Sequence, residues 1–132
     1  MTVVLDASVV MSALTDPYTQ GDWARSLLRS HELKAPHHLP AEVASSLRRA
    51  ASLGLIAPHA ADSAHSELLR FTIELFPYEP LASRVWELRH NVTPYDAWYV
   101  AVAEALDIGL ATLDRRLATA TGPRCAFVTP PL

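Results

Sequence analysis

The chain alternates short apolar segments with longer segments of helical character. The short segments are predicted strands of four to six residues, at positions 2–5, 33–36, 73–78, 109–113 and 126–129. Strands that alternate with helices favour a parallel sheet whose strands are joined by crossover connections. The alternation therefore predicts an α/β fold with a mostly parallel central sheet.

The helices are predicted from apolar residues spaced for one helix face and from prolines at helix starts. They cover residues 22–29, 40–51, 59–71, 80–89, 95–106 and 115–120. The 95–106 segment is apolar on nearly every side, so we expect it to lie deep in the protein. With 132 residues and no internal repeat or low-complexity linker, the chain is expected to form a single domain over residues 1–132.

Bulk composition narrows the class of protein. No stretch approaches the ~18 apolar residues that a membrane span requires, and the first ten residues lack a basic leader, so no signal peptide is expected. Cys125 is the only cysteine, which excludes an internal disulfide and a cysteine-rich metal site. These features fit a cytoplasmic protein. The net charge of −3 argues against a simple basic nucleic-acid binder.

Two aspartates follow predicted strands. Asp6 comes directly after the apolar run 3–5, and Asp114 comes after the strand 109–113. Because ligands of parallel α/β sheets bind at the carboxyl ends of strands, both acids should emerge at the same edge. Thr112 lies two residues before Asp114 and should face the same side. Each aspartate has an equally good structural interpretation as a turn or helix cap.

Two further acids stand at helix starts. Glu42 is the third residue of its helix if Leu39 is the N-cap, and Asp96 completes a capping-box spacing with Thr93. Acids in the first turn are favoured by the helix dipole by ~0.3–1 kcal/mol, so each also has a purely structural interpretation. If all four acids converge, they repel one another unless a cation neutralises them. Oxygen ligands without thiolates indicate Mg²⁺ or Mn²⁺.

The four acids lie in short motifs that together resemble the PIN domain, with the closest likeness to VapC-type toxins of toxin–antitoxin pairs. The motifs are VLDAS at residues 4–8, EVA at 42–44, PYDA at 94–97 and TLDRRL at 112–117. No single motif is specific, but their order and spacing cover essentially the whole chain. The resemblance implies a PIN-like three-layer α/β/α sandwich with a parallel sheet.

The resemblance also implies a function. It implies a Mg²⁺-dependent endoribonuclease, active as a homodimer and inhibited by a cognate antitoxin protein. Its catalytic and metal-binding residues would be Asp6, Glu42, Asp96 and Asp114, with Ser8 and Thr112 as supporting polar residues. One departure is Ser45, which stands where relatives often carry asparagine three residues after the second acid.

Several other residues have two interpretations. Arg115 and Arg116, and also Arg48 and Arg49, are candidates for binding substrate phosphate, or they belong to solvated helix faces. His37, His38 and Cys125 have no zinc spacing and are interpreted as structural or surface residues. The large aromatic residues most readily assigned to the core are Trp23, Phe71 and Trp86. Some of these aromatics could instead line a groove for a dimer or antitoxin partner.

Two other enzyme classes and two other roles can be compared with the residues. A response-regulator receiver is excluded because residues 51–61 contain no acid and Lys34 is the only lysine. A haloacid-dehalogenase phosphatase would need an acid at position 8, where Ser8 stands. A non-catalytic PIN-fold interaction module ranks second, since all four acids are present. A housekeeping RNA-processing nuclease is the alternative within the family.

Overall fold

The computed structural model describes all 132 residues, and its strands form one five-stranded sheet. Every neighbouring pair of strands is parallel, and the strand order is β3-β2-β1-β4-β5. The strands are β1 (Thr2–Leu5), β2 (Glu32–Pro36), β3 (Ile73–Phe76), β4 (Gly109–Ala111) and β5 (Phe127–Val128). The central strand β1 is apolar at Val3, Val4 and Leu5, which are all buried, as a parallel strand covered on both faces requires.

Helices form the two outer layers. They are α1 (Ala7–Thr15), α2 (Thr19–Ser30), α3 (Leu39–Ser52), α4 (Pro58–Leu68), α5 (Ala82–Glu87), α6 (Pro94–Leu106) and α7 (Arg115–Ala118). Helices α1 to α4 pack against one another, while α6 packs on β1, β2 and β4 beside α5. The predicted α/β/α sandwich and its parallel sheet are confirmed. No helix has both the length and the apolar character needed to cross a membrane.

The largest error of the sequence-based prediction is helix α1, which was not expected at all. Its residues include Val9 and Val10, whose branched side chains disfavour a helix. Both are completely buried, however, and Asp6 caps the helix N-terminus. Burial and capping therefore outweigh the low local propensity.

Other boundaries and burials also differ from expectation. Helix α4 ends at Leu68, and the segment predicted as one helix over 80–89 contains a 3₁₀ turn (Glu79–Leu81) before α5. The assignment of Trp86 to the core was wrong, since it is 61% exposed and carries the Arg89 guanidinium 4.5 Å from its ring centroid. Trp23 and Phe71 are partly buried against the core. Helix α6 is deeply buried from Tyr99 to Ala103, as predicted.

The strand order creates a crevice where the direction of winding reverses. From β1 the chain proceeds to β2 and β3 on one side, and it later returns to β4 and β5 on the other. Strands β1 and β4 are neighbours, and the chain turns away in opposite directions after each of them. A crevice therefore opens between the carboxyl ends of β1 and β4, which is the usual ligand position in such sheets. Asp6 follows β1, and Thr112 and Asp114 follow β4. The fold thus brings these residues to one place.

Candidate active site

Asp6 lies at the centre of the crevice. It is the N-cap of α1, and its Oδ1 accepts a hydrogen bond from the backbone N–H of Val9 at 3.2 Å. Its side chain is almost entirely buried, with 6% of the residue exposed. A buried carboxylate needs hydrogen-bond donors or a cation, because burial otherwise penalises its charge.

Two hydroxyl groups supply those donors. Ser8 donates to Oδ1 of Asp6 and Thr112 donates to Oδ2. The same hydroxyls accept hydrogen bonds from the loop after β4: Ser8 from the N–H of Leu113 at 3.0 Å, and Thr112 from the N–H of Asp114 at 2.9 Å. Ser8 and Thr112 therefore fix the Asp6 carboxylate to the segment that carries Asp114.

Asp114 caps the short helix α7. Its Oδ1 accepts hydrogen bonds from the backbone N–H groups of Arg116 at 2.9 Å and Leu117 at 3.4 Å. Its side chain also lines a cleft of about 310 Å³ together with Asp96 and Arg116. Asp114 is therefore a helix cap that is also exposed to a cleft.

Asp96 joins the other acids from the opposite layer of the sandwich. It stands in the first turn of α6, whose N-cap Thr93 accepts the Asp96 backbone N–H at 3.2 Å. Its carboxylate interacts electrostatically with Asp6, Asp114 and Glu42. The structure therefore brings the four predicted acids together around Asp96.

Glu42 is held by side chains that the sequence did not associate with it. Its Oε1 accepts a hydrogen bond from the Tyr99 hydroxyl at 2.6 Å, and Nε2 of His38 lies 2.9 Å from the same oxygen. Helix α3 begins at Leu39 with His38 as its N-cap, so the expected N-cap at Leu39 was wrong by one residue. Glu42 is thus the fourth helical residue, which places it on the same helix face as His38.

His38 was missed as a site residue. Its ring stacks on Trp98 with centroids 4.5 Å apart and planes 8° from parallel, and the Tyr99 ring lies 4.9 Å away on a tilted plane. The His38–Glu42 separation of four residues was the available signal, but it indicates a contact only once the helix start is known. His37 is exposed and Cys125 is half-buried, which fits the interpretation of these two as surface and structural residues.

The pKa values of the acids are shifted in different directions. Burial is the main cause that raises the pKa of Asp6 to about 6 from the usual 3.8, and the Asp96 charge adds to it. Burial and the charges of Asp114 and Glu42 also raise the pKa of Asp96. Burial acts in the same direction on Glu42, but the His38 and Tyr99 contacts outweigh it and lower the pKa of Glu42. Glu42 is thus ionised at neutral pH, while Asp6 and Asp96 pay a penalty for ionisation.

The donor set suits a hard divalent cation. All the candidate ligands are carboxylate oxygens, and burial together with neighbouring negative charge raises the pKa of two of them, a condition that a nearby cation relieves. As they stand, no three His, Cys, Asp or Glu side chains are arranged to enclose an ion directly. That arrangement is compatible with Mg²⁺, which typically takes one or two carboxylates and keeps several waters.

The candidate phosphate-binding arginines occupy different positions. Arg115 and Arg116 are both exposed on α7, but only Arg116 lines the cleft beside Asp96 and Asp114. Arg48 and Arg49 are exposed on α3, more than a helical turn beyond Glu42. Of the four, Arg116 is best placed to meet a substrate phosphate.

Removal of the Thr112 hydroxyl is expected to destabilise the protein. Thr112→Val keeps the shape but leaves an Asp6 oxygen and the Asp114 N–H without their partner in a fully buried position. We expect a loss of about 1–3 kcal/mol in the free energy of unfolding, measured by urea denaturation with chelator present. Thr112→Ser retains the hydroxyl and serves as the control. Equal stability of the valine variant and the wild type would contradict the assigned hydrogen bonds.

Comparison with known proteins places the chain in a family. The PIN domain family model matches residues 3–122. Ribonuclease VapC1 of Mycobacterium tuberculosis (strain ATCC 25618 / H37Rv) is 43% identical over 123 residues, which cover 92% of both chains. The sequence similarity therefore extends across the same region that contains all four acids.

Solved structures share the fold. PAE2754 from Pyrobaculum aerophilum matches with a TM-score of 0.72 and 23% identity, over 96% of this chain and 83% of that one. VapBC2 from Rickettsia felis, solved bound to a DNA fragment from its promoter, matches with a TM-score of 0.67 and 14% identity over 98% of each chain. At these identities the match concerns the fold alone. Taken with the family match over residues 3–122, these similarities show that the chain belongs to the PIN domain family.

Proposed function

We propose that this protein is a Mg²⁺-dependent endoribonuclease and the toxin of a type II toxin–antitoxin pair. The observation that carries the proposal is the convergence of Asp6, Glu42, Asp96 and Asp114 at the crevice between β1 and β4. Its relative VapC1 bears the name ribonuclease and is 43% identical. We expect the protein to act in the cytoplasm, where its RNA substrates lie.

The four carboxylates would hold Mg²⁺, or Mn²⁺ in its place, directly or through water. When bound, the cation polarises a water and stabilises negative charge on the scissile phosphate. Ser8 and Thr112 keep the Asp6 carboxylate in a fixed orientation by donating to its two oxygens. Glu42 is held at Oε1 by the Tyr99 hydroxyl from α6 and by the His38 ring from the start of its own helix.

Glu42 is the best candidate to orient the attacking water. Its lowered pKa keeps it ionised, so it can accept a hydrogen bond from water at neutral pH. The Tyr99 hydroxyl and the His38 ring both meet Oε1, which leaves Oε2 free of the hydrogen bonds found in the structure. Arg116, in the cleft beside Asp96 and Asp114, would contact a phosphate of the bound strand.

Cleavage of a mixed RNA pool tests the activity. The purified protein would be incubated with single-stranded and structured RNA in Mg²⁺, in Mn²⁺ and in chelator. Cutting within the chain that appears with either metal and disappears in chelator supports the proposal. Cutting that persists in chelator would contradict it. An inert protein that also binds no divalent cation would favour the non-catalytic interaction module.

A cognate antitoxin and a homodimer complete the proposal. Support for a partner comes from the structural likeness to VapBC2, whose structure was solved on promoter DNA. If the product of a short neighbouring gene is the antitoxin, its co-expression should restore growth to cells that this protein arrests. The mass of the purified protein, measured by light scattering, should be that of two chains. A monomeric mass would contradict the dimer without affecting the proposed activity.

A further inference from the structure

Aromatic side chains cluster beside the acids without being buried in the core. We call Tyr78, Tyr95, Trp98 and His38 the aromatic ledge. His38 and Trp98 are stacked, Tyr78 meets the edge of Trp98 at 5.3 Å, and Tyr95 lies 5.8 Å from His38. Tyr95 is 65% exposed and Tyr78 is 38% exposed. The ledge therefore presents ring surface to solvent.

The ledge borders the candidate active site. Nε2 of His38 lies 2.9 Å from Glu42, and Tyr95 directly precedes Asp96 in α6. Asp96 interacts with Glu42 on this side and with Asp114 on the other, where Arg116 lines the cleft. The acids thus lie between a group of aromatic rings and an arginine.

Packing does not account for the exposed ring of Tyr95. It is the second residue of α6, and its exposure means that it contributes little to the core. Trp98, three residues later, already covers the underlying core from a partly buried position. A large aromatic ring left in solvent next to a reactive site indicates contact with another molecule.

Starting from the proposed function, we infer that Tyr95, supported by the His38–Trp98 stack, binds an unpaired nucleobase of single-stranded RNA next to the scissile phosphate. Unstacked bases in single-stranded RNA are commonly held on aromatic side chains. Such stacking tolerates every base because each has a π face. Arg116 would bind the backbone on the opposite side of the acids. Paired bases cannot reach the ledge, so the subsite favours single strands over duplexes.

RNA binding in the absence of cleavage tests this subsite. The probe is a fluorescent single-stranded 12-nucleotide RNA of mixed sequence, whose anisotropy is followed with the full-length protein in chelator. Tyr95→Ala is expected to weaken binding roughly 5- to 150-fold, the range for loss of one base–aromatic stack. Tyr95→Phe should bind like the wild type. Tyr18→Ala removes a tyrosine that is 76% exposed and outside the ledge, and it should have no effect.

An abasic probe separates stacking from other contacts. A 12-nucleotide RNA in which every second position lacks its base should show a much smaller difference between wild type and Tyr95→Ala. Circular dichroism confirms that the variants are folded, which the exposure of Tyr95 leads us to expect. Equal loss of affinity for the intact and abasic probes would overturn base stacking.

The outcomes also separate this inference from the proposed nuclease. If the wild type cleaves RNA while Tyr95→Ala binds the intact probe as well as wild type does, the subsite is wrong and the nuclease stands. If binding depends on Tyr95 but no metal supports cleavage, the subsite stands and the nuclease is wrong. Unchanged RNA binding with weakened antitoxin binding would assign the ledge to a protein partner and overturn the inference.

Discussion

Replacement of Asp96 by asparagine is expected to lower the rate of RNA cleavage by about three orders of magnitude. Asp96 is the acid that interacts with each of the other three, so its loss removes negative charge from the centre of the cluster. A catalytic cation contributes several kcal/mol to stabilising the transition state, and each 1.36 kcal/mol corresponds to a tenfold change in rate. Single-turnover cleavage of one RNA at saturating Mg²⁺ measures the effect.

A matched control distinguishes this effect from a general loss of charge. Asp62→Asn makes the same change at an exposed position on α4, and its rate should equal that of the wild type. The Thr93 cap of α6 engages the backbone N–H of residue 96, so Asp96→Asn should fold normally. Retention of more than a tenth of the wild-type rate would contradict a central role for Asp96.

Replacement of Asp6 by asparagine is expected to stabilise the metal-free protein at neutral pH. The pKa of Asp6 is about 6 in the folded protein and 3.8 ordinarily, so ionisation of the folded state is penalised by about 3 kcal/mol. Asparagine is uncharged but must reorient one of the hydroxyl donors, Ser8 or Thr112, that serve the carboxylate. We therefore expect a net gain of about 1–3 kcal/mol in the free energy of unfolding at pH 7.5.

The penalty for ionising Asp6 should also appear in the pH dependence of the free energy of unfolding. Below pH 3.8 the Asp6 carboxyl is protonated in both folded and unfolded chains, so it contributes nothing to the difference. Between pH 3.8 and about 6 the folded protein retains a proton that the unfolded chain has released. Stability falls as pH rises through that window, and the penalty is complete above it. Asp6→Asn should remove this component.

Urea denaturation in chelator from pH 4 to 8 measures both effects. Added Mg²⁺ should stabilise the wild type and leave Asp6→Asn almost unchanged, because the variant has lost a proposed ligand. An asparagine variant that is less stable than the wild type at pH 7.5 in chelator would show that the Asp6 charge is not penalised. The same variant should have lost RNA cleavage, so that stability and activity change in opposite directions.

The acids could be located from sequence because parallel sheets place strand ends and helix starts at one edge. Asp6 and Asp114 end strands, while Glu42 and Asp96 begin helices, so their positions allowed convergence and the resemblance to the PIN domain implied it. The structural interpretation of Asp6 and Asp114 as helix caps is confirmed. Capping and a place in the site do not exclude each other here, because helices that follow parallel strands begin at the same edge.

Of the two residues that hold Glu42, Tyr99 could not be predicted, because it meets Glu42 only through tertiary structure. Tyr99 is 57 residues from Glu42 in the chain, and its hydroxyl reaches Glu42 from a helix on the other face of the sheet. His38 became significant only when α3 was found to begin at Leu39, since that start puts His38 and Glu42 on one face. Helix α1 was missed for the converse reason: burial of Val9 and Val10 overrides their local preference.

The central claim is that the four acids form one divalent-cation site, and calorimetric titration with Mn²⁺ tests it most directly. Wild-type protein, Asp96→Asn and the exposed control Asp62→Asn would be titrated under identical conditions. We expect saturable binding by the wild type and by Asp62→Asn, and at least tenfold weaker binding by Asp96→Asn. Binding of equal strength by Asp96→Asn, or no binding by the wild type, would contradict a metal site at the acids.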